Sequence, residues 1–294
     1  MAFLGAARAG AQTIGFIITH GDVSSERTHE ALLSHLERKG YAGKVNLLVQ
    51  RPYPDPIAWS NAARKLIAAD VDVLVTYGAP ATLSALNERS GVQVVYVGVY
   101  EPLASRIDAR DVTGVCSKYQ VSSLVRYLRD SVSIKELGVV YSDLEADSSH
   151  RLEEIKSLSG RYGFTVRELN LNKASDVEAM FSGARVNALF ITSSSMADSV
   201  FPSLVGAAEA MRIPSASLIV RDDASATMML STKAPAQGEA AAELLMRILD
   251  GARAREVAPV CSKDIELIFN LRAARSMGFR ISMDLVTEAT RIIY

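Results

Sequence analysis

Across 294 residues there are only two cysteines, four histidines and one tryptophan, and neither sign of charge predominates, with 32 basic side chains against 33 acidic ones. Each shortage removes a class of protein. Cys116 and Cys261 are too few for a disulfide framework or a zinc cluster. His29 and His35 stand six residues apart, whereas a zincin helix needs two histidines four apart on one face, so no metal is expected. A formal net charge of −1 leaves no electrostatic footprint for nucleic acid or an anionic membrane over the whole chain. No run approaches the ~18 consecutive apolar residues that cross a bilayer. Nucleotide fingerprints are missing: neither Gly-x-Gly-x-x-Gly after the first strand-like run nor Gly-x-x-x-x-Gly-Lys-Ser/Thr occurs, so no nucleotide cofactor is expected. There is no Gly-x-Ser-x-Gly elbow either, and Ser193-Ser194-Ser195 has no histidine near it in sequence.

What is present is the material of a folded protein. Hydrophobic residues make up 49 % and charged residues 22 %, which excludes disorder as the chain's main character. The length suits about two domains. Apolar, β-branched runs at 13–18, 45–49, 71–76 and 92–99 read as strands, with helical periodicity at 57–69 and 81–88. Leu32, Leu33 and Leu36 mark a further helix with Gly40 just past its end. After a break the alternation resumes, with strands at 137–141, 165–169, 188–192 and 214–217. Helices are expected at 151–162, 175–182, 200–211 and 238–249. Such alternation implies βαβ units and parallel sheets covered on both faces. A single sheet of about ten strands is uncommon, so two doubly wound lobes are expected.

The first residues read differently. Ala2-Phe3-Leu4-Gly5-Ala6-Ala7 is apolar, and the overlapping small-x-small patterns Ala7-Arg8-Ala9 and Ala9-Gly10-Ala11 follow it. That is the cleavage grammar of a secretory signal peptide without its basic start. Residues 1–11 are therefore expected to be a signal-peptide remnant or a disordered extension.

Ligands of open α/β sheets sit beyond the carboxyl ends of the strands, where helix N-termini present free amides. Those ends read Thr19-His20-Gly21-Asp22, Thr76-Tyr77-Gly78-Ala79-Pro80, Tyr100-Glu101-Pro102, Tyr141-Ser142-Asp143 and Thr192-Ser193-Ser194-Ser195. Helix capping explains any one such loop; five of them, three with a tyrosine, favour a shared small-molecule pocket. Some cofactor-free amino-acid racemases use one cysteine from each of two lobes as acid and base. Here Cys116 and Cys261 each stand in a Cys-Ser-Lys triplet instead of a Cys-Asn-Thr-like context, so inert thiols or a disulfide are favoured over catalysis.

Several runs carry a family resemblance from Thr13 to the end of the chain. Asp72-Val73-Leu74-Val75-Thr76-Tyr77-Gly78-Ala79-Pro80-Ala81 is one; Val92-Gln93-Val94-Val95-Tyr96-Val97-Gly98-Val99-Tyr100-Glu101-Pro102 with Thr113-Gly114-Val115 is the most specific. Gly138-Val139-Val140-Tyr141 with Glu145 to Ser148, Ile213-Pro214, Gly238-Glu239-Ala240-Ala241, and Phe269-Asn270-Leu271-Arg272 with Met277-Gly278-Phe279 complete the series. In order and spacing the chain resembles the substrate-binding proteins of ABC transporters in the group with tryptophan- and tyrosine-binding members. The resemblance implies a type I periplasmic binding protein fold: two doubly wound parallel-sheet lobes joined by a three-segment hinge. Lobe 1 is expected at 12–116 plus 232–260, and lobe 2 at 117–231 plus 261–294. It further implies binding without chemistry, a periplasmic or otherwise extracytoplasmic location, a small-molecule ligand in the interlobe cleft, a membrane permease as partner, and a monomer. The alternative is a ligand-sensing domain of a receptor or regulator.

The expected ligand is an amino acid, possibly aromatic or branched. Free amides at the helix starting near Pro80, after Ala79, with Gly78 letting the backbone approach closely, and the hydroxyls of Thr192, Ser193 and Ser194 would hold its carboxylate. Glu101, Asp143 or Asp147 would take the ammonium, and Tyr77 and Tyr100 would wall the side chain. His20, Ser148 and Ser217 complete the expected set. Three departures from the family pattern bear on the ligand: Ala79 stands where a threonine precedes proline, Glu101-Pro102 replaces Asp-Pro, and Ala224-Ser225-Ala226-Thr227 replaces a Gly-rich stretch. Adjacent crossing segments would also bring Cys116 and Cys261 together, although a bond across the hinge would stiffen a joint that must bend.

Overall fold

A computed structural model describes residues 11–108, 111–182 and 185–294. The expected signal-peptide remnant lies outside them except for Ala11. The chain runs β1 (Gln12–Ile17), α1 (Val23–Arg38), β2 (Val45–Gln50), α2 (Pro56–Ala68), β3 (Val73–Tyr77), α3 (Gly78–Asn87), β4 (Gln93–Val99) and β5 (Val112–Ser117). It continues through α4 (Val121–Ser131), β6 (Glu136–Tyr141), α5 (Ala146–Tyr162), β7 (Thr165–Asn170), α6 (Asp176–Phe181), β8 (Ala188–Ile191), α7 (Ser195–Ser199), α8 (Phe201–Ala210), β9 (Ser215–Ser217) and β10 (Met228–Thr232). Last come α9 (Ala234–Leu249), β11 (Val260–Ser262), β12 (Ile265–Asn270), α10 (Leu271–Ser276), α11 (Met283–Val286) and β13 (Arg291–Ile293).

These strands form two sheets, ordered β11-β5-β4-β3-β1-β2 and β13-β12-β10-β9-β8-β6-β7. Every pair is parallel except β10 with β12. Alternation along each strand feeds two cores per sheet. In the first lobe Ile14, Phe16, Val73 and Val75 pack under α1 and α9 with Leu32 and Leu245, while Ile17 and Leu74 meet Trp59, Ala63 and Leu66 of α2 on the other face. In the second, Leu137, Val139 and Phe190 pack against α4 and α5, and Val140, Leu189 and Ile191 against α8. Burial on both faces is why these strands read as continuous apolar runs.

The chain passes between the sheets three times, after β5, after β10 and after β11. Each expected boundary falls inside a strand: β5 runs on to Ser117, β10 to Thr232 and β11 to Ser262. The crossing segments bind one another, Lys118 N donating to Ser262 O at 3.4 Å and Lys233 N to Asp264 O at 2.8 Å. Cys116 and Cys261 sit opposite each other in the β5–β11 register and form a disulfide, with a Cα separation of 4.4 Å. Both belong to the first sheet. The bond therefore staples an edge strand within one lobe and leaves the joint unbridged, which removes the objection that it would lock the hinge.

Other differences have local causes. The segment 113–120, read as a break between the halves, contains β5 and its turn. The helix expected from Arg151 begins at Ala146, and the one expected at 200–211 is α8, preceded by the short helix α7 that was not expected. Strands β11 and β13 have three residues each, too few to show a period.

Candidate ligand-binding cleft

In a sheet of order 2-1-3-4-5 the crevice opens where the order reverses. That point lies between β1 and β3 in the first sheet, and its counterpart between β6 and β8 in the second. The loops leaving those four strands supply most of the charged lining of one cavity between the lobes, of about 110 Å³. From β1 comes Asp22, which caps α1 by accepting from Ser25 N at 2.9 Å and Ser25 Oγ at 2.7 Å. Trp59 Nε1 holds this loop by donating to Thr19 Oγ1 at 3.0 Å. From β3 come Tyr77, Gly78, Ala79 and Pro80, the start of α3. Gly78 has φ of +78°, a conformation that side chains with a Cβ rarely adopt. Tyr77 occupies the cap position without a side-chain cap, so the amides of Gly78 and Ala79 face the cleft unbonded by one.

The loop after β6 leads into α5 and contributes Glu145, Asp147 and Arg151. The loop after β8 contributes Ser193, Ser194, Ser195 and Asp198. Ser194 caps α7, its Oγ accepting from Ala197 N at 3.1 Å. At the hinge end the wall is polar, with Ser117, Thr232 and Gln237 joined by hydrogen bonds and Glu266 beside them.

Charges from both lobes meet here. Asp198 accepts from Val23 N at 3.2 Å and Ser24 Oγ at 2.7 Å across the cleft, and Arg221 Nη1 reaches its carboxylate at 3.0 Å. Asp147 makes the second latch, accepting from Tyr100 N at 2.9 Å and from Ser105 Oγ. At Gly21 a Cβ would come within 2.9 Å of Ser199 Cβ, which shows how closely the two rims approach. The lobes are shut. Burial, reinforced by the Asp198 carboxylate, pushes Asp22 up to about 7. Burial also pushes Glu145 up to about 8, with Asp22 and Asp147 adding to it against the donors of Ser195. Glu145 accepts from Ser195 N at 2.8 Å and Ser195 Oγ at 3.3 Å.

Arg151 is the cation of the site. It is 2 % exposed, lies over the Tyr100 ring at 4.5 Å, and donates from Nη2 to Tyr119 Oη at 2.9 Å. Its Nε has no hydrogen-bond partner. Burial opposes its charge, but Tyr119, Asp147 and Tyr100 outweigh that and raise its pKa above the ordinary value.

Of the residues expected from sequence, Tyr77, Gly78, Ala79, Pro80, Asp147, Ser193 and Ser194 line this cavity. The others lie outside its lining. His20 and Glu101 are exposed, and Asp143 is exposed with its Oδ1 accepting from Asn172 Nδ2 at 2.6 Å. Ser148 and Thr192 bond each other at 2.8 Å beneath the loops. Ser217 Oγ accepts from Ile219 N at 2.9 Å within its own turn. Tyr100 supports Arg151 from behind, and its hydroxyl donates to Glu154 Oε2 at 2.9 Å. Sequence reading missed Asp22, Glu145, Arg151 and Asp198. Asp22 stood inside a loop already singled out, and Glu145 inside a matched run, so a signal existed for those two; Arg151 and Asp198 lie inside helices and carried none. The cysteines lie off the cavity lining, and their sulfurs are bonded to each other, so neither carries the thiol proton a racemase would exchange. Among the described residues no cluster of His, Cys, Asp or Glu suited to a metal occurs, and no helix is long and apolar enough to cross a membrane.

The fold and this cleft are those of a binding protein with its site between two lobes. A family model for the ABC transporter substrate binding protein matches residues 14–293, and the chain belongs to that family. It is 18 % identical over 262 residues to the tyrosine-binding protein of Clostridioides difficile (strain R20291), covering 84 % of this chain and 75 % of that one. The crystal structure of an ABC domain in complex with L-Trp from Streptococcus pneumoniae superposes with a TM-score of 0.88 at 20 % identity, over 97 % of this chain and all of that one. A ligand-free, open substrate-binding protein with adhesive properties from Clostridium difficile gives 0.67 at 18 % identity, over 96 % and 99 % of the two chains.

Proposed function

We propose that this chain is the extracytoplasmic solute-binding component of an ABC importer, that it captures an amino acid between its lobes, and that it delivers it to a membrane permease without chemical change. Arg151 carries the reading. A guanidinium this buried, in a residue that lines the cleft and is held by Tyr119 and the Tyr100 ring, is a positioned site for a carboxylate. Glu145 faces the same space from the same helix and offers an acceptor to an ammonium. A ligand bearing both groups on one carbon satisfies both, and uncharged sugars or polyols would leave the arginine without an anion in a dry cleft. The names of the tyrosine-binding relative and the L-Trp complex support the same class. Closure then follows from contacts that only the shut form makes, at Asp198 and Asp147, with the three crossing segments as the hinge.

A thermal-shift screen of amino acids, sugars and nucleosides on refolded protein tests this. Ligand at 100 times its dissociation constant stabilises by about 2.7 kcal/mol, so an amino acid is expected to raise Tm by several degrees. A shift from a sugar or nucleoside, with none from any amino acid, overturns the reading.

A further inference from the structure

One residue of the first lobe is built into the second. Tyr100 directly follows β4 of the first sheet, yet its ring belongs to the hydrophobic core of the second lobe, and the residue is only 7 % exposed. There it runs along one stripe of α5. Its amide donates to Asp147 Oδ2 at 2.9 Å, its ring centre lies 4.5 Å from the Arg151 guanidinium, and its hydroxyl donates to Glu154 Oε2 at 2.9 Å. Residues 147, 151 and 154 stand at i, i+4 and i+7, the spacing that shares one face of a helix. The second support of Arg151 is Tyr119 Oη, which accepts from Nη2 at 2.9 Å and comes from the crossing segment between β5 and α4. Both supports therefore sit on parts of the chain that move against α5 when the hinge turns.

Asp147 adds to this dependence. It precedes Arg151 by one helical turn, the separation at which a carboxylate and a guanidinium pair along a helix. In the shut molecule first-lobe groups hold both its oxygens, Tyr100 N on Oδ2 and Ser105 Oγ on Oδ1, and Arg151 bonds Tyr119 instead. Resting on the reading of Arg151 as the carboxylate anchor, we infer that Tyr100 is a positioning residue for that anchor: a first-lobe group that sets the second-lobe guanidinium, draws Asp147 away from it, and so completes the anion site only when the lobes shut. Tyr100 lies outside the cavity lining and acts through Arg151 and Asp147 without touching the ligand. The ring face is the active part, because its π-electrons attract a buried cation where no water competes. A contact assembled after encounter slows release more than it speeds capture.

Release of a radiolabelled mixture of the proteinogenic amino acids, followed by isotope dilution, tests this on refolded Tyr100→Phe and Tyr100→Leu. Both variants lack the hydroxyl and fill the space with apolar atoms, and only phenylalanine keeps the ring face. The leucine variant is expected to release label about tenfold faster than the phenylalanine variant, with capture rates alike within about twofold. Equal release from the two overturns the inference and leaves the amino-acid reading standing. So does a difference carried by capture alone, which would mean an anion site already set before closure. Asp147→Asn cannot form the ion pair with the guanidinium and is expected to speed capture about twofold; unchanged capture overturns the withdrawal of Asp147. No retained label on the unsubstituted protein removes both readings. Should the leucine variant fail to fold, Tyr100→Met takes its place, since it too fills the space without a ring.

Discussion

The two lobes build their halves of the cleft from the same topology and different material. The first offers backbone: the uncapped start of α3 at Gly78 and Ala79, with Asp22 tied up in capping α1. The second offers side chains, with Glu145 at the N-cap of α5, Asp147 and Arg151 within that helix, and Asp198 in α7. An amide dipole is part of the chain and survives most substitutions, so the first lobe is a generic anion-facing surface. Charged side chains can be exchanged one at a time. On the proposed reading the second lobe contributes the exchangeable charges and the first a backbone surface opposite them.

The sharpest way to break this contrast is to remove the second lobe's cation. Arg151→Ala is expected to cost about 2–5 kcal/mol of binding, or roughly thirtyfold or more in Kd, because a buried charge pair loses one partner. Calorimetry measures it, with Arg151→Lys as the control that keeps the charge. Retained affinity in the alanine variant would shift the anchor to the α3 amides of the first lobe.

The lobes also differ in covalent support, since the disulfide lies wholly in the first. Replacing Cys116 and Cys261 by serine removes a link that closes a separation of 145 residues. A loss of about 2–4 kcal/mol in stability is expected, with the first lobe's amides exchanging hydrogen soonest. Hydrogen-exchange mass spectrometry checks the location; uniform loosening of both lobes would show that the staple serves the whole molecule.

A smaller effect separates the carboxylates. Glu145 is pushed from its ordinary 4.5 up to about 8 by burial, then by Asp22 and Asp147. Between those values the shut protein keeps a proton that the unfolded chain releases, so ligand-free stability falls as pH rises across that window and levels off above it. Melting curves at about pH 5 and about pH 8 are expected to show this slope, and Glu145→Gln to flatten it. An unchanged slope in the variant would assign the effect to Asp22, which is pushed up to about 7.

The part of the site most fully legible in sequence is the part made of backbone, with Asp147, Ser193 and Ser194 the side chains read beside it. Tyr77-Gly78-Ala79-Pro80 follows a pure strand, and a helix start there is dictated locally, so its place at the cleft could be read from order alone. Asp143 and Glu145 show the opposite case. They are two residues apart in one loop, yet Asp143 faces Asn172 at the surface and Glu145 lines the cavity. The helix starting at Ala146, five residues earlier than its apolar pattern suggests, sets that difference and aligns Arg151 one turn beyond Asp147.

Alternating apolar runs and helical periods, set by burial on two faces, determined by themselves that this chain forms two parallel-sheet lobes whose loops converge at one end. Motif order added the family. Only the tertiary structure decided which lobe holds β11, that the cysteines pair within one sheet, and which five carboxylates meet two arginines in the lining. The reason is physical. Strand and helix formation depend on neighbours a few residues away, whereas the charge of a closed cleft is a sum over residues as far apart in sequence as Asp22 and Glu266, and it exists only once the lobes shut.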